Sequence, residues 1–165
     1  MSNLVLEKLV SGGQTGADQA SLRAGRRLGL ETGGWAPRGW RTLAGLAPWL
    51  ADYGLAEYHS SAYAGRTAAN VRDSDATVRF ARDFFSPGER CTLKAINSFK
   101  RPYHDVHVDW IRLHEAVARG SFVKFLVDNK VKVLNVAGNS EETAPGIGRA
   151  VEEFLVRALS RKVSP

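Results

Sequence analysis

With 165 residues, 44% of them hydrophobic, the chain can bury one good core, and its composition points neither to disorder nor to a second domain. A single cysteine, Cys91, excludes an internal disulfide and a cysteine-only metal cluster and fits a reducing cytoplasm. No stretch approaches the roughly 18 to 20 apolar residues of a membrane span. The formal charge of +6, carried by 23 Lys and Arg of which most are Arg, points to acidic ligands: a nucleotide, an inorganic oxyanion or a nucleic-acid backbone. The expectation is one cytoplasmic, unexported domain over residues 1–165, with no membrane partner.

The first pattern is a strand ending at Leu9-Val10-Ser11, a turn at Gly12-Gly13 and a helix over Ala17 to Leu28, closed by Gly29. Gly12 and Gly13 have no Cβ, so another molecule can approach the backbone closely. Free N–H groups at the helix start then suit an anion. Gln14 and Thr15 add polar side chains, and Asp18 falls in the first helical turn, where it caps the helix or holds a ligand hydroxyl. The bland alternative is a tight turn with no ligand. Leu30 to Trp35 reads as a second strand running into the loop Gly33 to Trp40, where Trp35 or Trp40 could stack on a planar ring and Arg38 or Arg41 could face an anion. Residues 42–65 read as irregular, with one short helix near Ala47 to Tyr53.

Arg66 to Asp75 reads as a short helix running into a turn, and Ala76 to Ala81 as a strand. Ser86 to Thr92 forms a third polar glycine loop, continued by a helix over Leu93 to Phe99. Pro102 to Val106 is a short strand, and Asp109 to Asp128 a long helix with Trp110, Leu113, Val117, Phe122 and Leu126 near its inner face. Val131 to Ala137 is the best strand in the chain, closed by Gly138 and Asn139. Pro145 opens a last helix carrying Ile147, Val151, Phe154, Leu155 and Leu159. Strands alternating with helices predict an α/β fold: an open, mostly parallel sheet with helices on both faces. Ligands in such sheets bind outside the carboxyl ends of the strands, where the loops at Gly12, Pro37, Ser74, Gly88 and 138–146 converge.

Ser11 to Asp18, Gly34 to Gly39, Arg66 to Val71, Ser74 to Thr77, and Asn135 to Gly138 with Pro145 to Ile147 resemble the putative molybdenum carrier family. That family is also described as a circularly permuted branch of the Rossmann-like nucleotide-ligand-binding proteins related to the Lonely Guy proteins. The resemblance runs from about Lys8 to Leu159. It implies a Rossmann-like sheet, a homo-oligomer (dimer or tetramer), and a pocket for a nucleotide-derived or pterin ligand such as the molybdenum cofactor (molybdopterin), or for molybdate itself. It further implies that the backbone of Gly12, Gly13 and Gly16 and the side chains of Gln14 and Thr15 bind the ligand. Thr67, Asn70 and Ser74 complete a second wall, and Gly88, Thr92, Asn139 and Gly146 the phosphate-facing rim. Two departures stand out. Glu89 lies where relatives often carry Thr, and a carboxylate there repels an oxyanion unless Arg90 or a metal intervenes. Asn139-Ser140-Glu141-Glu142 replaces a shorter, often Arg-containing link.

Catalysis is the alternative to binding. A phosphoribohydrolase-like enzyme that cleaves the N-glycosidic bond of a nucleoside monophosphate needs a carboxylate, and Asp18 and Glu89 are the candidates. The related enzymes carry Pro-Gly-Gly-x-Gly-Thr-x-x-Glu, which this chain lacks, and no Gly-x-Ser-x-Gly elbow surrounds Ser11. His104 and His107 fall on opposite faces of a strand, so they read as solvated loop residues and no direct protein-ligated metal is expected. Molybdenum would be held through an organic cofactor or as an oxyanion on N–H groups. Single-stranded nucleic acid is a weaker reading, because the cationic residues are scattered rather than gathered in a stripe.

Overall fold

The structure, a computed structural model, describes residues 3–160, so both ends of a domain drawn over 1–165 lie outside the described residues. Six parallel strands form one sheet in the order β5-β2-β1-β8-β6-β7, with β1 at Lys8–Val10, β2 at Glu31–Ala36, β5 at Leu55–Glu57, β6 at Ala76–Ala81, β7 at Tyr103–His107 and β8 at Val133–Gly138. From β1 the chain steps outward to β2 and β5, crosses to β6 and β7, and returns with β8 between β1 and β6. The reversal beside β1 creates the crevice in which open α/β sheets seat ligands.

Helices α1 (Ala17–Leu28), α4 (Val108–Asp128) and α5 (Ile147–Leu159) pack side by side over one face. There Leu9, Phe80, Leu134, Val136, Phe122 and Phe154 form the main core, with Phe80 set edge-on to Phe154 at 5.6 Å. Helices α2 (Tyr63–Arg72) and α3 (Pro87–Phe99) pair with each other through Val71, Ala95 and Ile96. All six residues of β6 are buried, as expected of a strand covered on both faces. Among the described residues no helix is long and apolar enough to cross a membrane.

Three local expectations are corrected. The short helix expected near Ala47 to Tyr53 is present as a 3₁₀ helix at Pro48–Tyr53, but the rest of 42–65 is not irregular: a hairpin of β3 (Arg41–Thr42) and β4 (Gly45–Leu46) precedes that helix, and β5 follows it and extends the sheet beside β2. Strands of two or three residues are too short to show periodicity. The supposed loop Ser86 to Thr92 is almost all helix, with Ser86 as N-cap and Pro87 in the first turn of α3. In α4, Trp110, Leu113 and Val117 are exposed while Phe122 and Leu126 are buried, because non-helical backbone at His114 (φ −139°, ψ 43°) breaks the helical phase between the two halves.

Candidate functional site

The turn after β1 is built around its own side chains. Ser11 is fully buried and its Oγ donates to the Asp18 carbonyl at 3.0 Å, tying the strand end to the first turn of α1. Gly13 (φ 74°) and Gly16 (φ 81°) carry the chain through left-handed backbone. Asp18 then folds back to accept the Gln14 N–H at 3.1 Å, and the Ala17 N–H goes to the Asn139 carbonyl at 3.2 Å. The same happens at α5, where Glu141 accepts the N–H groups of Gly146 at 2.6 Å and Gly148 at 3.0 Å. The N–H groups that the sequence reading offered to a phosphate at Gly146 are thus already held by a carboxylate of the chain. Glu141→Ala is expected to cost about 1 kcal/mol, the usual worth of a helix cap, and about 2–4 °C in melting temperature by thermal denaturation.

Beside this turn lies a cavity of about 220 Å³. Gly12, Gln14 and Asp18 form one side, Tyr63, Arg66, Thr67 and Asn70 of α2 another, the first turns of α3 from Ser86 to Thr92 a third, and Asn135 to Ser140 with Thr143 the floor and rim. The Gln14 Oε1 accepts the Leu43 N–H at 2.9 Å, which ties the tip of the β3–β4 hairpin to the cavity mouth. Arg66 lies across the glycine turn. Its Nη1 stands 3.5 Å from Asp18 Oδ2, and its Nε is buried without a hydrogen-bond partner among the described residues. A Cβ on Gly12 would fall 1.7 Å from that Nη1, so the missing side chain at Gly12 makes room for the guanidinium.

Of the residues singled out from sequence, Gly12, Gln14, Asp18, Thr67, Asn70, Gly88, Glu89, Thr92 and Asn139 line this cavity, whereas Gly13, Thr15, Gly16, Trp35, Arg38, Ser74 and Gly146 do not. Thr15 donates to Glu142 Oε2 at 2.6 Å, and Ser74 is buried, donating to the Val71 carbonyl. Trp35 sets its ring edge-on to Tyr58 and donates from Nε1 to Asp73, while Arg38 is exposed and Trp40 packs on the cluster of Leu22, Leu50 and Leu55. Asn70 and Asn139 reach the cavity but use their amides as clamps. Asn70 exchanges both its amide groups with the Trp35 backbone. Asn139 accepts the Arg82 and Asp83 N–H groups and donates to the Asp83 carbonyl. Tyr63 and Arg66 also line the cavity and were not singled out from sequence. The available signal was spacing: Arg66, Thr67 and Asn70 lie three and four apart, on one helical face.

Two buried carboxyls dominate the electrostatics. Burial pushes the Asp18 carboxyl above its usual range, against the opposing pull of Arg66 and the Gln14 and Gly12 N–H groups. Burial pushes Glu89 up to about 8, with the charge of Arg79 working the other way and Asp18, Asp105 and Asp83 adding to the rise. The cation beside Glu89 is therefore Arg79 from β6, at 3.5 Å, and not the exposed Arg90. Arg79 is itself matched bidentately by Asp105 at 2.7 and 2.8 Å. His104 is not a solvated loop residue: it sits half-buried on β7, stacked on Phe125 at 5.2 Å, and burial lowers its pKa. His107 caps α4 by accepting the Asp109 N–H.

No match was found among curated proteins. The crystal structure of a protein from Syntrophus aciditrophicus SB, named a putative molybdenum carrier protein, is similar at 31% identity with a TM-score of 0.87, covering 94% of this chain and 96% of that one. The model of the circularly permutated YpsA SLOG family matches residues 9–159. That span runs from the strand before the glycine turn to the end of α5 and takes in every wall of the cavity, so the chain belongs to the circularly permutated YpsA SLOG family.

Proposed function

We propose that this chain is a small-ligand binding protein that holds an anionic, molybdenum-related or nucleotide-derived ligand in the cavity between the glycine turn, α2 and the first turns of α3. The observation that carries the reading is Arg66: its side chain is only 11% exposed, and among the described residues its Nε has no hydrogen-bond partner and its one carboxylate contact is as long as 3.5 Å. A buried cation so loosely matched is completed by an anion. The first turn of α3 brings the positive end of a helix dipole to the facing wall, with its Glu89 N–H taken by Ser86 Oγ. Pockets for drug-sized molecules run to about 300–1,000 Å³. The smaller volume here suits molybdate or the phosphate-bearing end of a larger ligand such as the molybdenum cofactor. The name of the Syntrophus protein supports a molybdenum-related ligand. The reading extends to a homo-oligomer in a reducing cytoplasm, with exposed Trp110, Leu113 and Val117 as apolar surface available to a second copy.

The test is the melting temperature against molybdate, molybdenum cofactor, nucleoside monophosphates and a single-stranded oligonucleotide at fixed salt. A ligand at about 100 times its Kd stabilises the folded state by about 2.7 kcal/mol, which is about 5–10 °C for a chain of this size. The expected result is a shift of that size with molybdate or the cofactor, reduced at least tenfold in apparent affinity by Arg66→Met. Release of free base from a nucleoside monophosphate would move the assignment to hydrolysis, with Asp18 and Glu89 as the carboxyls. A shift from the oligonucleotide alone would move it to nucleic acid.

A further inference from the structure

Glu89 is the second unmatched group of the cavity. Its side chain is 2% exposed, it lies in the first turn of α3 on the cavity wall, and its Oε2 has no hydrogen-bond partner among the described residues. The nearby cation does not supply one. Arg79 directs Nε and Nη2 to Asp105 and Nη1 to the Glu89 carbonyl, so its charge is matched by Asp105 and only a 3.5 Å approach reaches the Glu89 carboxyl. The other charged groups around Glu89 are acidic: Asp18 from α1, Asp105 from β7 and Asp83 from the loop after β6. Across the cavity stands Arg66 from α2.

We propose that Glu89 takes part in ligand binding as a neutral carboxylic acid whose hydroxyl donates a hydrogen bond to an oxyanion in the cavity, so that capture weakens as the pH rises. The inference rests on the binding reading above and specifies the donor set of that site. A protonated carboxyl has one O–H to donate, and here no acceptor within the described residues takes it. Placed beside an oxyanion, the neutral acid attracts where its anion would repel. The elevated pKa of about 8 makes the neutral form the main one at pH 7. Above it, Glu89 must be reprotonated before an anion can enter.

The experiment measures the affinity of the wild-type chain and of Glu89→Gln for molybdate and for sulfate, oxyanions whose own charge is constant from about pH 7 to about 9.5, by calorimetry at fixed ionic strength. The wild type is expected to lose affinity by up to about tenfold per unit above pH about 8. Glu89→Gln keeps an N–H donor at every pH and is expected to show a flat profile. Infrared spectra at pH 7 should show a carboxylic acid carbonyl band that Glu89→Gln lacks. A flat wild-type profile, an equally steep one in the variant, or the absence of that band overturns the inference. Failure of both oxyanions to bind at any pH overturns the binding reading itself, whereas binding without the pH dependence overturns this inference alone.

Discussion

Replacing Glu89 by Gln is expected to raise the melting temperature, by little near pH 5 and by roughly 5–10 °C near pH 8.5. The carboxyl titrates at its ordinary 4.5 in the unfolded chain and at about 8 in the folded one. Its raised pKa favours the folded state fully at pH below 4.5. Above that, the unfolded chain has released a proton that the folded chain still holds. Stability then falls as pH rises, until the folded carboxyl also ionises near 8. At about 1.36 kcal/mol per unit the full loss approaches 4–5 kcal/mol, and local adjustment around Arg79 brings the expected figure to roughly 2–4 kcal/mol. Gln has nearly the same shape and no proton to lose, so it removes the loss without opening a void. Parallel curves of melting temperature against pH for the two proteins would show that Glu89 does not titrate in this way.

Gly138→Ala is expected to be among the most damaging glycine-to-alanine changes in the chain. Gly138 ends β8 at φ 155°, paired with Phe80 of β6, and an added Cβ would lie 2.0 Å from the Phe80 carbonyl oxygen and 2.8 Å from the Ala17 Cβ. That carbonyl cannot retreat easily, because it accepts the Asn139 N–H at 3.0 Å. The substitution therefore forces apart β6, β8 and α1 where they converge on the cavity. The expected loss is about 4 kcal/mol or more, seen as a fall of at least about 10 °C in melting temperature or as insoluble protein. Gly120→Ala is the contrast. Gly120 lies inside α4 with nothing within 4 Å of the new methyl, so alanine should stabilise by about 0.5–1 kcal/mol. A Gly138→Ala protein as stable as Gly120→Ala would contradict the packing described at the strand ends.

Long periodic elements were legible in the sequence and short or interrupted ones were not. The glycine turn, α1, β6, β8 and α5 carry enough residues for their period to emerge, and the alternation of strand and helix predicted the parallel sheet. β5 has three residues, so nothing in 42–65 announced the edge strand. The inner face assigned to α4 failed because a periodicity argument assumes unbroken helix, and His114 breaks it. At the site, residue type alone nominated groups for a ligand but did not show which were already engaged. Trp35, Thr15 and Ser74 have the right chemistry and are committed to Asp73, Glu142 and the Val71 carbonyl. Arg66 was passed over because its significance lies in a missing partner, which only three-dimensional packing reveals.

The closed starts of α1 and α5 bear on selectivity. At α1 the Asn139 carbonyl takes the Ala17 N–H and at α5 the Glu141 carboxylate takes those of Gly146 and Gly148, and a tethered group competes as though present at about millimolar concentration or above. Each behaves as a resident inhibitor that no dialysis removes. Common cellular anions are thereby kept off these two helix ends even where the dipole would welcome them. In a chain rich in arginine, the loosely matched buried guanidinium of Arg66 then faces a single cavity.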